Sequence, residues 1–303
     1  MIIFERLVIL GVGLMGGSLA LAAKQAGVVG TVVGWSRTDA TLQLALANGV
    51  IDEAQSDLSA ALADADCVVV ATPTILAESV MQQVLEQVPV TTAVTDVASV
   101  KGNIAGSLTA HFGSIPPNAI LGHPIAGSER SGVAAANVDL YQNHRVILIN
   151  QADTVQPTDA GLLAKVSQLW QAVGAEVSAM SVEDHDRILA LTSHLPHFLA
   201  YAIVAQLTAA DDALDVFNFA AGGLRDFTRI ASSEPRMWRE ILLANKTELT
   251  HALDGFEQQV LHLRALIAAD DGQGLEDIFT DVKHSRDKFV AALAARSDQS
   301  GVK

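Results

Sequence analysis

The segment RLVILGVGLMGGSLALAAKQAG, residues 6–27, decides the fold of this chain. Its first run, Leu7–Leu10, predicts a buried β-strand, the glycines predict a tight turn, and the Ala- and Leu-rich end predicts a helix. In that order the pattern is typical of a dinucleotide-binding turn. Gly11 permits the turn, Gly13 lets the backbone approach a pyrophosphate, and Gly16 allows close packing of helix on strand. The expected cofactor-binding residues of this turn are Gly11, Gly13, Leu14, Met15 and Gly16.

Short β-branched runs alternate with stretches of helical period as far as about residue 180. The runs are Leu7–Leu10, Thr31–Gly34, Cys67–Ala71, Ala93–Val97, Ala119–Leu121, Val146–Ile149 and Ala175–Met180. Because they are almost uniformly apolar, we expect a parallel sheet covered by helices on both faces. Beyond Met180 helical segments dominate. The sequence therefore predicts an α/β fold, with a Rossmann-type doubly wound domain at residues 1–180 and an all-helical domain at residues 181–303.

Composition excludes several classes of partner. The 303-residue chain carries a formal charge of −15 and has a sequence pI near 4.8, so nucleic acid and anionic membrane surfaces would repel it. Apolar stretches are interrupted before they reach the roughly 20 residues of a bilayer span, and the N-terminus lacks signal-peptide features. We therefore expect a cytoplasmic protein that binds neither nucleic acid nor membrane. The single cysteine, Cys67, is expected to pack within a strand.

The position that binds the adenosine ribose bears on the choice of cofactor. An Asp or Glu usually stands about 20 residues beyond the glycines, and Ser36 occupies that place here. Ser36, Arg37 and Thr38 offer hydroxyls and a guanidinium that suit a 2′-phosphate better than a 2′-hydroxyl, which favours NADP. The alternative is a longer strand, in which Asp39 binds the ribose of NAD and Arg37 is merely solvated.

Three loops carry polar groups at or beyond the carboxyl ends of strands, where ligands bind in such sheets. These loops are ATPT (71–74), DVASVKG (96–102) and GHPIAGSERSG (122–132). Thr72 and Pro73 are expected to contact the cofactor, whereas Ser99, Lys101 and His123 are expected to face the nicotinamide. A histidine after a strand is by itself more often a capping or core-edge residue. His123, however, lies between a glycine and a proline, where the backbone is rigid.

The helical half concentrates histidine and arginine. His194 and His197 are one helical turn apart, but Pro196 lies between them and no carboxylate follows at ligand spacing, so we predict no metal site.

Two arginines, Arg225 and Arg229, are four residues apart and would share one face of a helix. Arg229 is suited to bind a carboxylate through two parallel hydrogen bonds. The alternative is a salt bridge within the domain to Asp226 or Glu234, and the residues alone favour that alternative.

Seven segments in this order resemble the prephenate and arogenate dehydrogenase family of tyrosine biosynthesis. They are GVGLMGGS, ATP, DVASVKG, GHPIAGSERSG, HDRILALTSHLPH, LRDFTRIASSEPRMW and NK, and they extend from the first strand to about Lys246. The resemblance implies a nucleotide-binding domain followed by a helical dimerisation domain, and hence a homodimer. It also implies oxidative decarboxylation of a small cyclohexadienyl substrate with hydride transfer to NADP or NAD.

The resemblance assigns roles to individual residues. His123 would take the proton of the ring hydroxyl as hydride leaves the same carbon, and Ser99 would orient that hydroxyl. A histidine near its ordinary pKa of about 6.5 suits this task without large tuning. The residues implied to bind substrate are Arg229, His197, Trp238 and Glu129.

Two other functions remain open on the sequence alone. A 3-hydroxyacid dehydrogenase shares a GxGLMG turn and a helical second domain, and Lys246 beside Asn245 would supply its base. A non-catalytic NADPH sensor would bind cofactor without turnover, but it gives no reason for Ser99, His123 and Arg229 to occur together. No motif distinguishes prephenate from arogenate as the substrate.

Overall fold

The computed structural model describes residues 1–128, 130–150, 156–209 and 217–300. Its first element is a six-stranded sheet in which every neighbouring pair of strands is parallel. Strands β1 to β6 are Phe4–Leu10, Val29–Trp35, Glu53–Gln55, Cys67–Val70, Ala93–Asp96 and Ala119–Ile120. Their order in the sheet is β3-β2-β1-β4-β5-β6, the arrangement of a doubly wound dinucleotide-binding fold. The predicted fold class is confirmed.

Helices cover both faces of this sheet. They are α1 (Leu14–Gln25), α2 (Asp39–Ala47), α3 (Leu58–Leu62), α4 (Thr74–Gln87), α5 (Gly102–Phe112) and α6 (Ala160–Ala172). Alternate side chains of β1 enter different clusters, with Leu7 and Ile9 in one and Val8 and Leu10 in the other. This double burial explains why the strands are apolar without interruption. Cys67 is fully buried within β4, as expected.

A second, three-stranded sheet corrects the prediction of one parallel sheet up to residue 180. It contains β7 (Gly122–Pro124), β8 (Arg145–Ile149) and β9 (Glu176–Met180), with β7 antiparallel to β8. The backbone of Gly122 explains the break after β6. Its N–H donates to Asp96 Oδ2 at 3.2 Å and its carbonyl accepts from Lys101 Nζ at 2.7 Å. Because the N–H and the carbonyl of Gly122 bond to side chains, these backbone groups are not available to extend the hydrogen bonds between β6 and β5.

The remaining elements are helical, as predicted. They are α7 (Val182–Leu189), a π-helical turn (Ala190–His194), α8 (Leu195–Thr208), α9 (Gly222–Thr228), a 3-10 turn (Arg229–Ser232), α10 (Pro235–Ala244), α11 (Lys246–Ala268) and α12 (Gly272–Ser300). The chain forms two compact units, Met1–Leu249 and Thr250–Lys303. In its described residues, the second unit contains the part of α11 from Thr250 onward and the whole of α12.

One helical run among the described residues, Val182–Thr208, is long and apolar enough to cross a membrane by length and composition alone. Only 22% of its most apolar window is buried within the chain. One such helix is weak evidence for a membrane span, because the core helix of a soluble protein passes the same test. The run also contains His185 and Asp186, which are buried within the first unit.

Candidate active site

The glycine turn has the geometry that the sequence predicts. Gly11 has a φ of +100°, and a Cβ there would lie 2.5 Å from the carbonyl oxygen of Ala71. A Cβ on Gly16 would lie 2.4 Å from the carbonyl oxygen of Gly11, so the helix approaches the turn as closely as glycine permits. A Cβ on Gly13 would meet no atom within 4 Å. Open space over Gly13 leaves room for a phosphate group.

Polar groups without a hydrogen-bond partner in the described residues occur at the start of α1 and just beyond β4. The first helical hydrogen bond of α1 runs from Gly17 N to Gly13 O, so the first-turn amides of Leu14, Met15 and Gly16 precede it. The hydroxyl of Thr72, just beyond β4, is buried without a hydrogen-bond partner in the described residues. Pro73, next to it, precedes the first residue of α4. These donors and the open backbone fit a dinucleotide pyrophosphate.

The structure also locates the expected ribose end of this site. Strand β2 ends at Trp35, whose carbonyl accepts from Gly11 N at 3.0 Å. Ser36 Oγ accepts from Thr38 N at 3.2 Å, and the side chain of Arg37 is exposed. Asp39 begins helix α2, so the longer strand required by the alternative is absent.

His123 lies at the centre of the candidate catalytic site, inside β7 rather than in a loop beyond a strand. Its side chain is buried, and Nδ1 lies 2.9 Å from His185 Nε2. His185 Nδ1 in turn lies 2.7 Å from Asp186 Oδ1. Both carboxylate oxygens of Asp186 accept backbone N–H groups at the start of α5, from Lys101 at 2.9 Å and Gly102 at 2.7 Å.

A buried ion pair fixes the backbone on either side of this site. Lys101 and Asp96 are fully buried, and Lys101 Nζ donates to Asp96 Oδ1. The pair also bonds both backbone groups of Gly122, the residue before His123. Lys101 therefore holds the backbone, in contrast to the prediction that it faces the nicotinamide. Ser99 lies half-buried in the same loop and makes no hydrogen bond with the described residues.

Aromatic rings form a second wall. His197 stacks on Trp238 with ring centroids 3.6 Å apart, and its Nδ1–H donates to the Ser193 carbonyl at 2.8 Å. Trp238 packs with Val100, the neighbour of Ser99, and its Nε1–H is buried without a partner among the described residues. Through Val100, the tryptophan connects helix α10 to the loop that carries Ser99.

Arg229 makes no ion pair with any described residue. Asp226 pairs instead with Arg225 at 3.6 Å, and Glu234 caps α10 by accepting from Met237 N. The alternative of a salt bridge from Arg229 to Asp226 or Glu234 is therefore wrong. The two arginines also do not share one α-helix, because α9 ends at Thr228 and Arg229 begins a 3-10 turn. Glu129 lies outside the described residues.

The histidines of the site are held neutral. Burial lowers the pKa of His123 well below 6.5, and the neighbouring His185, Lys101 and His194 lower it further. The expectation that His123 titrates near its ordinary pKa is therefore wrong. Burial likewise lowers the pKa of His194 to about 4, and it lowers the pKa of His197, where a hydrogen bond to Ser193 opposes the shift. A buried, uncharged imidazole at neutral pH can accept a proton.

Sequence reasoning missed four buried residues that support His123 or its neighbours: Lys101 in its backbone role, His185, Asp186 and Asn245. Asn245 Nδ2 donates to the Asp186 carbonyl at 2.8 Å and to His194 Nδ1 at 3.1 Å, which joins α7 to the π-helical turn. His185, Asp186 and Leu189 are the buried residues of α7, and the four-residue spacing of His185 and Leu189 is the sequence signal that could have indicated this buried face. No group of three metal-ligating side chains occurs within the described ranges.

The strand order, the glycine turn and a neutral histidine beside the sheet define a dinucleotide-binding oxidoreductase. Residues 19–179 match the nucleotide-binding domain of prephenate dehydrogenase, and residues 181–281 match its dimerization domain. A cyclohexadienyl dehydrogenase of Zymomonas mobilis is 32% identical over 98% of both chains. A prephenate dehydrogenase of Bacillus subtilis is 33% identical over 93% of this chain and 76% of its own. The chain belongs to the prephenate dehydrogenase family.

Solved structures agree with this assignment. Prephenate dehydrogenase from Aquifex aeolicus, in complex with hydroxyphenyl propionate and NAD+, superposes with a TM-score of 0.86 at 34% identity over 94% of this chain and 98% of its own. Arogenate dehydrogenase from Synechocystis gives a TM-score of 0.81 at 27% identity over 94% of this chain and 100% of its own. A 3-hydroxyisobutyrate dehydrogenase of Salmonella typhimurium, at 15% identity and a TM-score of 0.53, shares the fold alone. The resemblance noted in the sequence is confirmed, and the chain is an NAD(P)-dependent oxidoreductase.

Proposed function

We propose that this enzyme oxidatively decarboxylates a cyclohexadienyl substrate, prephenate to 4-hydroxyphenylpyruvate or arogenate to tyrosine, in tyrosine biosynthesis. The observation that carries the proposal is the buried, neutral His123, whose Nδ1 is engaged by His185 and whose Nε2 has no partner among the described residues. Relatives that act on prephenate, cyclohexadienyl compounds and arogenate support the substrate class.

The chemistry requires one base and an oriented substrate. The nicotinamide, when bound, supplies the acceptor for the hydride on the carbinol carbon. His123 Nε2 takes the proton of the hydroxyl on that carbon, and Ser99 orients the hydroxyl. The resulting dienone loses its ring carboxylate as carbon dioxide, the electron pair of the broken bond makes the ring aromatic, and the new phenolic oxygen is protonated. Positioning and proton transfer together can contribute several powers of ten in rate.

The rest of the pocket binds the substrate. Arg229, exposed and without an ion pair in the described residues, binds a substrate carboxylate. His197 and Trp238 form the aromatic wall against the ring, and the Trp238 N–H adds a hydrogen-bond donor. Glu129, which lies outside the described residues, is proposed to assist in binding the substrate.

NADP is the proposed preference over NAD. Strand β2 ends at Trp35, which leaves Ser36, Arg37 and Thr38 at the ribose end of the turn without a carboxylate before Asp39. An exposed arginine there stabilises a 2′-phosphate. Because a relative was solved with NAD+, the assay below compares both cofactors.

The assembly proposed is a cytoplasmic homodimer. The nucleotide-binding domain comprises residues 1–180, and residues 181–303 form the helical domain that binds substrate and the second subunit. The matched dimerization domain supports this, as do exposed apolar side chains on one helical run, Leu191, Phe198 and Ile203.

The test is a two-by-two assay, prephenate or arogenate with NADP or NAD, followed by the absorbance of reduced nicotinamide. We expect turnover with at least one substrate and a higher kcat/KM with NADP. Ser36→Asp is expected to reverse the cofactor ratio by introducing a carboxylate that repels the 2′-phosphate. Asp39→Asn, on the first residue of α2, is the matched control. Cofactor binding without turnover in all four combinations would refute the proposed reaction.

A further inference from the structure

The carboxylate of Asp186 sets the direction of three consecutive hydrogen bonds. Both of its oxygens already accept backbone N–H groups, from Lys101 and Gly102 at the start of α5. Burial alone would raise the pKa of Asp186, but the hydrogen bonds from His185 and the two amides lower it below 3.8. An ionised carboxylate only accepts hydrogen bonds. The contact at 2.7 Å therefore requires His185 to carry its hydrogen on Nδ1.

The next contact follows from this one. Burial lowers the pKa of His185 below 6.5 and outweighs its hydrogen bond to Asp186. A neutral imidazole with hydrogen on Nδ1 has a lone pair on Nε2. The atom 2.9 Å from that lone pair is His123 Nδ1, which must donate. His123, neutral for the same reason of burial, then has its own lone pair on Nε2.

We propose that His185 and Asp186 are positioning residues that hold His123 with hydrogen on Nδ1 and an accepting lone pair on Nε2. This deepens the proposed function and rests on it, since it specifies which nitrogen of His123 takes the substrate proton. The dyad also favours the imidazolium that forms, because the Asp186 anion lies at the far end of the hydrogen-bond chain.

The titratable groups nearest to His123 disfavour its protonation, so that an anion is needed to favour the imidazolium. The two histidines pack edge to face at 5.1 Å between ring centroids, and the cation of Lys101 and the ring of His194 are further neighbours. Asp96 neutralises Lys101 within the buried ion pair. Asp186 is thus the anion that is connected to the His123 side chain through the two hydrogen bonds of His185. Among the described residues, no other carboxylate is connected to the His123 ring by such a chain.

The test compares two substitutions of His185. In His185→Gln, one amide group offers an oxygen to accept from His123 and an N–H to donate to Asp186, whereas His185→Leu offers neither. We expect kcat to fall about 100-fold in His185→Leu and by less than about fivefold in His185→Gln, within the range for loss of base catalysis. The substrate KM and the cofactor Kd should stay within about threefold of wild type, because the side chain of His185 is fully buried. Equal losses in both variants, or none in His185→Leu, would overturn the proposal.

A second pair covers the case in which His185→Leu does not fold. Asp186→Asn removes the anion, and Asp184→Asn is its exposed control on the same helix. We expect Asp186→Asn to lower kcat and to move the acid limb of its pH profile to lower pH, because the anion no longer favours protonated His123. Behaviour identical to Asp184→Asn would contradict the proposal.

The tautomer can also be observed without turnover. In 15N-histidine-labelled wild-type enzyme, assigned with His123→Ala, the Nδ1 and Nε2 shifts of His123 should show hydrogen on Nδ1. Hydrogen on Nε2 would refute the positioning role even in an active enzyme. An enzyme with hydrogen on Nδ1 but no turnover would refute the proposed reaction and leave the tautomer assignment standing.

Discussion

The imidazole of His197 stacks on the indole of Trp238, with ring centroids 3.6 Å apart and planes 19° from parallel. The ring of His197 is fixed by the bond from Nδ1 to the Ser193 carbonyl, and Trp238 is fixed by packing against Val100 and Ile241. The stack joins α8 to α10 and contains a buried indole N–H that has no partner in the part of the chain that the structure describes. A planar, rigid wall with one donor suits a six-membered ring that carries oxygen substituents.

Two substitutions of Trp238 distinguish the contribution of its aromatic surface to substrate binding from that of its indole N–H. Trp238→Phe keeps an aromatic surface and removes the N–H, so we expect the substrate KM to rise about three- to tenfold, the value of one neutral hydrogen bond. Trp238→Leu removes both and should raise KM further, with kcat reduced as well. Steady-state kinetics measures the effect. Equal KM values for wild type and Trp238→Phe would show that the indole N–H does not bind substrate.

His123→Ala tests the base directly. Removal of a general base typically costs about 10²- to 10⁴-fold in rate, so turnover should nearly cease while cofactor affinity, measured by fluorescence titration, is retained. His111→Ala, an exposed histidine on α5, is the control and should remain fully active. Because burial lowers the pKa of His123 well below 6.5, the wild-type rate should be flat across neutral pH and fall only in acid. An active His123→Ala variant would exclude the assigned role.

Arg229→Gln tests carboxylate binding. A charged hydrogen-bond pair is worth about 1.5–3 kcal/mol, so kcat/KM should fall roughly 10- to 150-fold, mostly through KM. Arg225→Gln is the matched control, since Arg225 is an exposed neighbour that pairs with Asp226. A similar loss in both variants would indicate a general effect of surface charge instead of a specific contact.

The buried pair of Lys101 and Asp96 predicts a stability effect separate from the chemistry. Lys101→Met leaves Asp96 buried without its cation, and removal of one partner of such a pair typically costs about 3–5 kcal/mol of unfolding free energy. The double variant Lys101→Met/Asp96→Asn leaves no uncompensated charge, so we expect it to recover part of the loss. Denaturant unfolding at fixed protein concentration measures both. A single variant as stable as wild type would show that the pair is not structurally important.

The sequence predicts those parts of the molecule that depend on local pattern. The glycine turn and seven of the nine strands within the described ranges are recognisable because apolar runs and glycine spacing are local features. Strand β3 (Glu53–Gln55) has no such run. Strand β7 (Gly122–Pro124) pairs with β8 and is separated from β6 at Gly122, whose backbone bonds to the side chains of Asp96 and Lys101. The roles of His185 and Asp186 likewise depend on contacts between residues about 60–85 positions apart, which one sequence does not show.

The buried histidines also predict how stability depends on pH. Burial lowers the pKa of His194 from its ordinary 6.5 to about 4 in the folded enzyme. Between these two pH values the unfolded chain binds a proton on this residue that the folded chain does not bind. The stabilisation is therefore fully present above pH 6.5 and is lost as the pH falls towards 4, by at most roughly 3 kcal/mol for this residue. The lowered pKa values of His123 and His185 act in the same direction. We expect the free energy of unfolding, measured in urea, to decline steeply as the pH is lowered from 7.5 to 4.5. His194→Gln should reduce this pH dependence by the equivalent of up to one bound proton, and its amide oxygen can still accept the hydrogen bond from Asn245. An unchanged slope would show that His194 binds protons equally well in the folded and unfolded states, and that its pKa is not lowered by folding.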